Sequence, residues 1–186
     1  MTLQQNSVVQ SRRVAERAQS FDDEFAALFK VQYPRIYRYL DRMSGDPDAA
    51  EDLAQETFVR LYQRRSMPDE PSAWLISVGL NLLRNMASST RRRIELLESN
   101  RSEHDSSTGF ESAEDATQTH ETQARVRRAI DSMDERDKSL LLLRADGYSY
   151  KELAAALHLN VASIGTLMAR AQRSFRSIYE ESGHAR

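Results

Sequence analysis

The side chains that could do chemistry fall into two groups, and the first is acidic. Asp48, Glu51, Asp52 and Glu56 crowd one short segment, and the spacing of four between Asp48, Asp52 and Glu56 sets these three along one stripe of a helix. Paired carboxylates serve as a metal site or an acid–base pair only with a converging partner set, and none accompanies them. The stripe reads instead as an exposed face, either solvated or offered to a basic protein partner. The four histidines, His104, His120, His158 and His184, do not form a spaced ligand set, and no glycine-rich phosphate loop occurs. The chain has no cysteine, which excludes disulfides and thiolate metal sites. Neither an enzyme nor a cofactor is expected.

The second group lies in YSYKELAAALHLNVASIGTLMARAQR, Tyr148 to Arg173. Ser149 and Glu152 stand in capping-box spacing, His158 and Leu159 turn the chain, and Asn160 is a natural N-cap for a second helix. Ala154 is small where the two helices cross, while Ile164, Met168, Ala171 and Phe175 form the inward side. The opposite face displays Ala162, Ser163, Thr166, Arg170 and Arg173. In a DNA-reading helix-turn-helix the second helix enters the major groove. Its Ser163 and Thr166 hydroxyls meet base edges, and Arg170 and Arg173 reach phosphates. An ordinary helical hairpin has the same outline.

The elements that position these groups are all helical. Phe21, Phe25, Leu28, Phe29, Tyr33, Ile36, Tyr37 and Leu40 recur at helical spacing, with Pro34 predicting either a restarted helix or a mild kink. Before them, to about Ser20, the chain is polar and predicts at most a loose helix. Asp46 and Pro47 start a helix to about Arg64 that buries Ala50, Leu53, Ala54, Thr57 and Leu61. MPDEP breaks the chain. Ser72 or the preceding turn then starts AWLISVGLNLLRNMASSTRRR, with Trp74, Leu75, Val78, Leu82 and Met86 inward. Val126, Ile130 and Met133 mark a further helix, Leu140 to Leu143 the next, and Gly147 its end. The domains expected are a helical body over 21–97, a flexible acidic linker over 98–120 and a second body over 121–182.

Charge supports that division. The formal total is -2, yet residues 1–97 carry 14 basic and 13 acidic side chains, 98–120 carry one basic and six acidic, and 121–186 carry 11 basic and nine acidic. Two mildly basic bodies flank an acidic strip. No apolar run is long enough to span a bilayer, so no membrane insertion and a cytoplasmic location are expected. The slight basic excess of the second body predicts few phosphate contacts and weak DNA binding on its own.

The runs YPRIYRYLDRMSGDPDAAEDLAQETFVRLYQR, Tyr33 to Arg64, and PSAWLISVGLNLLRNMASSTRRR, Pro71 to Arg93, together with the segment from about Ala124 to Phe175, resemble a bacterial RNA polymerase sigma factor of the extracytoplasmic-function type. The resemblance implies that the helix around Ala50 to Tyr62 docks on the clamp helices of core RNA polymerase. Asp52, Gln55, Glu56 and Arg60 would be exposed there, with Leu53, Phe58 and Leu61 supporting them. It implies that the helix from Trp74 to Arg93 binds and melts the minus-10 promoter element through Asn81, Arg84, Asn85, Arg91, Arg92 and Arg93. It further implies that the second body reads minus-35 promoter DNA with Asn160, Ser163, Thr166, Leu167, Arg170 and Arg173 and lies against the polymerase flap. An anti-sigma factor is an implied partner.

The chain departs from the family pattern in one place. Many members carry a run like TVKSRL before the RA pair; here, aligned on Arg170 and Ala171, SIGTLM occupies Ser163 to Met168, and the Lys and Arg positions fall on Gly165 and Leu167. Two alternatives stay open: a helix-turn-helix regulator without sigma activity, and a sigma-mimic interaction module.

Overall fold

The computed structural model describes residues 3–99 and 118–184, with side-chain surroundings over 20–92 and 121–182. Seven helices and no strand occur among the described residues: α1 (Leu3–Ser44), α2 (Pro47–Arg64), α3 (Pro71–Ser99), α4 (Gln118–Asp131), α5 (Glu135–Ala145), α6 (Tyr150–Leu157) and α7 (Val161–His184). No single helix among them is long and apolar enough to cross a membrane. Most of the predicted linker lies outside the described residues.

The helix boundaries follow local chemistry. Asp46 caps α2, accepting from the Asp48 and Ala49 backbone N–H groups at 3.1 Å each, with Pro47 in the first turn. Ser149 and Glu152 close the predicted capping box at the start of α6. Burial pushes the Glu152 carboxyl up, but the Ser149 hydrogen bonds and Arg35 outweigh it and leave it below the usual glutamate range. The end of α5 is a Schellman motif. The Tyr148 N–H donates to the Leu143 carbonyl and the Gly147 N–H to the Arg144 carbonyl, with Gly147 at φ +86° as only glycine tolerates easily.

Two expectations change. The segment before Ser20 joins α1, and Pro34 neither restarts nor ends this helix, which runs unbroken over 42 residues. The buried side of α3 is also broader than predicted: Ala73, Ile76, Leu80 and Leu83 are buried together with Leu75, whereas Trp74, Val78, Leu82 and Met86 are only partly so. The reason is two-sided cover, because α3 packs on α1 and α2 and also receives α6.

Within the first body, Phe21, Phe25, Phe29 and Tyr33 ladder along α1 and meet α2 through Phe58 and Tyr62; the Phe29–Phe58 edge contact has a centroid distance of 4.9 Å. Gly79 on α3 lets the helices close, since a Cβ there would sit 3.4 Å from both Leu40 and Thr57 side-chain atoms. The second body packs α7 against α4, α5 and α6. The two bodies are docked on each other, and one continuous apolar core runs from Ile36, Leu40 and Leu75 to Leu140, Leu153 and Ile164.

Candidate nucleic-acid and protein interface

On α2, the apolar period turns Leu53 and Phe58 inward and leaves Asp52, Gln55 and Arg60 exposed, with Glu56 partly so. Two hydrogen bonds at i,i+4 spacing tie this face together: Gln55 donates to Glu51 at 3.1 Å and Arg60 to Glu56 at 2.8 Å. The ion pair is near half exposed on both sides, so it contributes only about 0.3–0.5 kcal/mol and yields readily to a partner. The geometry is a mixed-charge face on a rigid aromatic underside, suited to protein docking.

On α3, Asn81, Arg84, Asn85, Arg91 and Arg92 are all exposed; the side chain of Arg93 lies outside the described residues. Asn81, Arg84, Asn85 and Arg92 fall at intervals that keep them to one side, a stripe of about 16 Å at 1.5 Å per residue. Arg92 donates to the Ser88 carbonyl at 3.3 Å. Arg84 is engaged across the bodies, with its Nε 2.7 Å from the Glu135 carboxylate.

On α7, Ser163, Thr166 and Arg173 face outward, while Leu167 is partly buried against the core. Asn160 is spent on the helix start, its Oδ1 accepting from the Ala162 N–H at 2.9 Å. Arg170 has a structural partner that the sequence did not announce. Its guanidinium forks Asp137 of α5, at 2.8 Å to Oδ1 and 3.1 Å to Oδ2, and the Asp137 side chain is only 5% exposed. Asp137 sits in the first turn of α5, where an acid is favoured by the helix dipole alone, so nothing local points to residue 170. Gly165 is exposed, and a Cβ there would meet nothing within 4 Å. Its lack of a side chain is not a packing requirement.

A second missed group lies where the bodies meet. Tyr39 donates to the Ser139 hydroxyl at 3.0 Å, Tyr148 to the Gln32 amide oxygen at 3.1 Å, and Ser77 to the Ala156 carbonyl at 2.7 Å. Lys151 pairs with Glu70. Burial pushes the Tyr148 phenol up to about 12, against Arg35, which lowers it; burial drives Tyr39 higher still. Among the described residues no three His, Asp or Glu side chains come together as a metal-ligand set.

Comparison with known proteins places both bodies. The model of Sigma-70 region 2 matches residues 28–93, and that of Sigma-70, region 4 matches residues 123–173. The chain is 30% identical over 176 residues to the ECF RNA polymerase sigma factor BldN of Streptomyces coelicolor, covering 87% of this chain and 62% of that one. It is 28% identical over 154 residues to the ECF RNA polymerase sigma factor SigE of Mycolicibacterium smegmatis, covering 80% and 59%. The RNA polymerase sigma-H factor of Pseudomonas aeruginosa is 26% identical over 180 residues, covering 89% and 91%. The chain thus spans about three-fifths of the length of the first two relatives. Among solved structures, the fold is shared with the sigma factor RpoE in complex with the anti-sigma factor NepR from Bartonella quintana, at TM-score 0.59 and 20% identity over 84% of this chain and 97% of that one. It is also shared with CnrH in complex with the cytosolic domain of CnrY, at TM-score 0.63 and 20% identity over 90% and 94%.

Proposed function

The chain belongs to the sigma-70 family of RNA polymerase sigma factors, of the extracytoplasmic-function type, and from that premise we propose that it binds core RNA polymerase and directs promoter-specific initiation. The observation that carries this reading is the chain order of three polar faces, on α2, α3 and α7, within the region 2 and region 4 matches. Asp52, Gln55, Glu56 and Arg60 meet the polymerase clamp helices, and Leu53 and Phe58 hold that face from beneath. Asn81, Arg84, Asn85, Arg91, Arg92 and Arg93 capture unstacked bases and phosphates of the minus-10 element, offsetting the cost of unpairing. Ser163, Thr166 and Arg173 read the minus-35 element beside Leu167, while Asn160 and Arg170 hold the helix that presents them.

Residues 21–97 and 121–182 act as the two functional domains, with 98–120 as the tether between them. An anti-sigma protein, of the kind found with the RpoE structural neighbour, is a further partner, and the cytoplasm is the working compartment. The role is one of binding and positioning, without catalysis. A reconstituted transcription assay over a genomic fragment library tests the proposal. Discrete start sites that depend on the added chain are expected; folded chain that neither binds core polymerase nor yields such starts overturns it.

A further inference from the structure

Arg35, Arg38 and Arg42 recur along α1 at intervals of three and four, which aligns them on one side of the helix. All three turn to one corner of the second body. The Arg35 guanidinium lies 3.8 Å over the Tyr148 ring and donates to the Asp146 carbonyl at 2.8 Å. Arg42 donates to Asp146 Oδ1 at 3.2 Å, and Arg38 stands 3.6 Å from the same oxygen.

The balance at this corner is uneven. Arg38 and Arg42 meet one carboxylate, while Arg35 bonds the Asp146 carbonyl and acts on the Glu152 carboxyl; the Asp146 carboxylate is 6% exposed, with Oδ2 buried and without a donor among the described residues. Burying a carboxylate with half of its acceptor capacity unmet costs solvation, and the ion pairs to Arg38 and Arg42 offset that cost while the bodies are docked. Arg38 and Arg42, by contrast, remain 47% and 42% exposed and retain capacity for further anions. The stripe spans about 10 Å at 1.5 Å per residue, a run of positive charge along which the phosphates of a strand can lie. The same docking covers part of α3, where Ser77 and Arg84 are held by Ala156 and Glu135.

We propose that Arg35, Arg38 and Arg42 form a phosphate-binding stripe for single-stranded nucleic acid, which Asp146 occupies as an internal stand-in while the two bodies are docked. Opening the chain and binding nucleic acid are then one linked equilibrium, and each favours the other by the same factor. The stripe lies outside the minus-10 and minus-35 residues named above. Its function needs no polymerase, so its failure and that of the sigma reading are separable.

The test uses the full chain. Because it lacks cysteine, Gln63→Cys and Gln172→Cys, both at exposed positions, accept a fluorescent pair that reports the distance between the bodies by energy transfer. Unlabelled chain is titrated separately against a dye-tagged single-stranded DNA and followed by anisotropy. Asp146→Asn is expected to lower energy transfer and to tighten DNA binding by about threefold or more, with the gain shrinking as salt is raised. Arg38→Ala with Arg42→Ala removes the same ion pairs and is expected to lower energy transfer without any gain in affinity. In the parent chain, added DNA is expected to lower energy transfer. The proposal is overturned if Asp146→Asn, with its helix content intact by circular dichroism, leaves energy transfer unchanged. Equal affinity gains in the two variants would also overturn it, because they would place the new contacts elsewhere. Should Asp146→Asn fail to fold, the parent chain decides: DNA that binds without lowering energy transfer overturns the linkage.

Discussion

Three residues of α7 separate packing from reading. Gly165 has open space where a Cβ would project, so Gly165→Ala should raise stability by up to about 1 kcal/mol, the helix-propensity difference, as measured by urea denaturation. Gly165→Lys restores a charge on the outward face and should tighten minus-35 duplex binding, with a steeper salt dependence in a filter or anisotropy assay. Arg170 behaves differently. Arg170→Ala strips the fork from the buried Asp137 carboxylate, which keeps Arg136 at 3.3 Å, and should cost about 1 kcal/mol, so lower promoter use in that variant reports a loosened α5–α7 contact. Arg173 is exposed and bonded only to the Ala169 carbonyl of its own helix in the contacts resolved around it. Arg173→Ala should therefore lower minus-35 affinity while leaving the denaturation midpoint within error, and comparing the two variants distinguishes anchoring from recognition.

The elements depend on caps and on how many sides they bury. For α6, eight residues long, the cap matters most, because so short a helix has little propensity to draw on. Ser149→Ala should cost about 1 kcal/mol. The Glu152 carboxyl, held below the usual glutamate range, keeps its contribution at neutral pH and loses it only as pH falls through that lowered value, which a denaturation series in acid would detect. For α3, burial on two sides makes Leu75 central to the whole core. Leu75→Ala should cost about 2–5 kcal/mol, a large share of the stability expected for so small a protein, whereas Asn85→Ala on the exposed side should change stability by no more than about 0.5 kcal/mol.

At the scale of the whole molecule, the docked arrangement places two phenols in the interface. Tyr39 and Tyr148 both donate across it and are both buried. An exposed tyrosine ionises at about 10; burial raises Tyr148 to about 12 and Tyr39 beyond that. Below pH 10 both are neutral whether the bodies are docked or apart, so their contribution is fully present. Between about pH 10 and 12 the separated form ionises first, and docking weakens steadily. Energy transfer between the bodies should fall over that window. Tyr148→Phe, which keeps the ring under Arg35 but cannot ionise, should make the fall shallower.

Much of this was legible in the sequence because it is local. The caps at Asp46, Ser149 and Asn160, the stop at Gly147 and the apolar underside of α2 are each set within one or two helical turns, and the structure has them as the residue types and the 3.6 period dictate. The resemblance of two separate runs to sigma regions, in the right order, was likewise carried by the sequence alone. What only the tertiary structure decided joins residues far apart: Arg170 to Asp137, Tyr39 to Ser139, and Arg42 to Asp146 across 104 positions. A helix buried on two sides, as α3 is, loses the clean one-sided stripe from which a partner would be inferred, and a charge that pairs over such a separation leaves no periodic trace. The docking of the two bodies, and the arginines it occupies, therefore follows from packing in three dimensions, because no spacing along the chain encodes it.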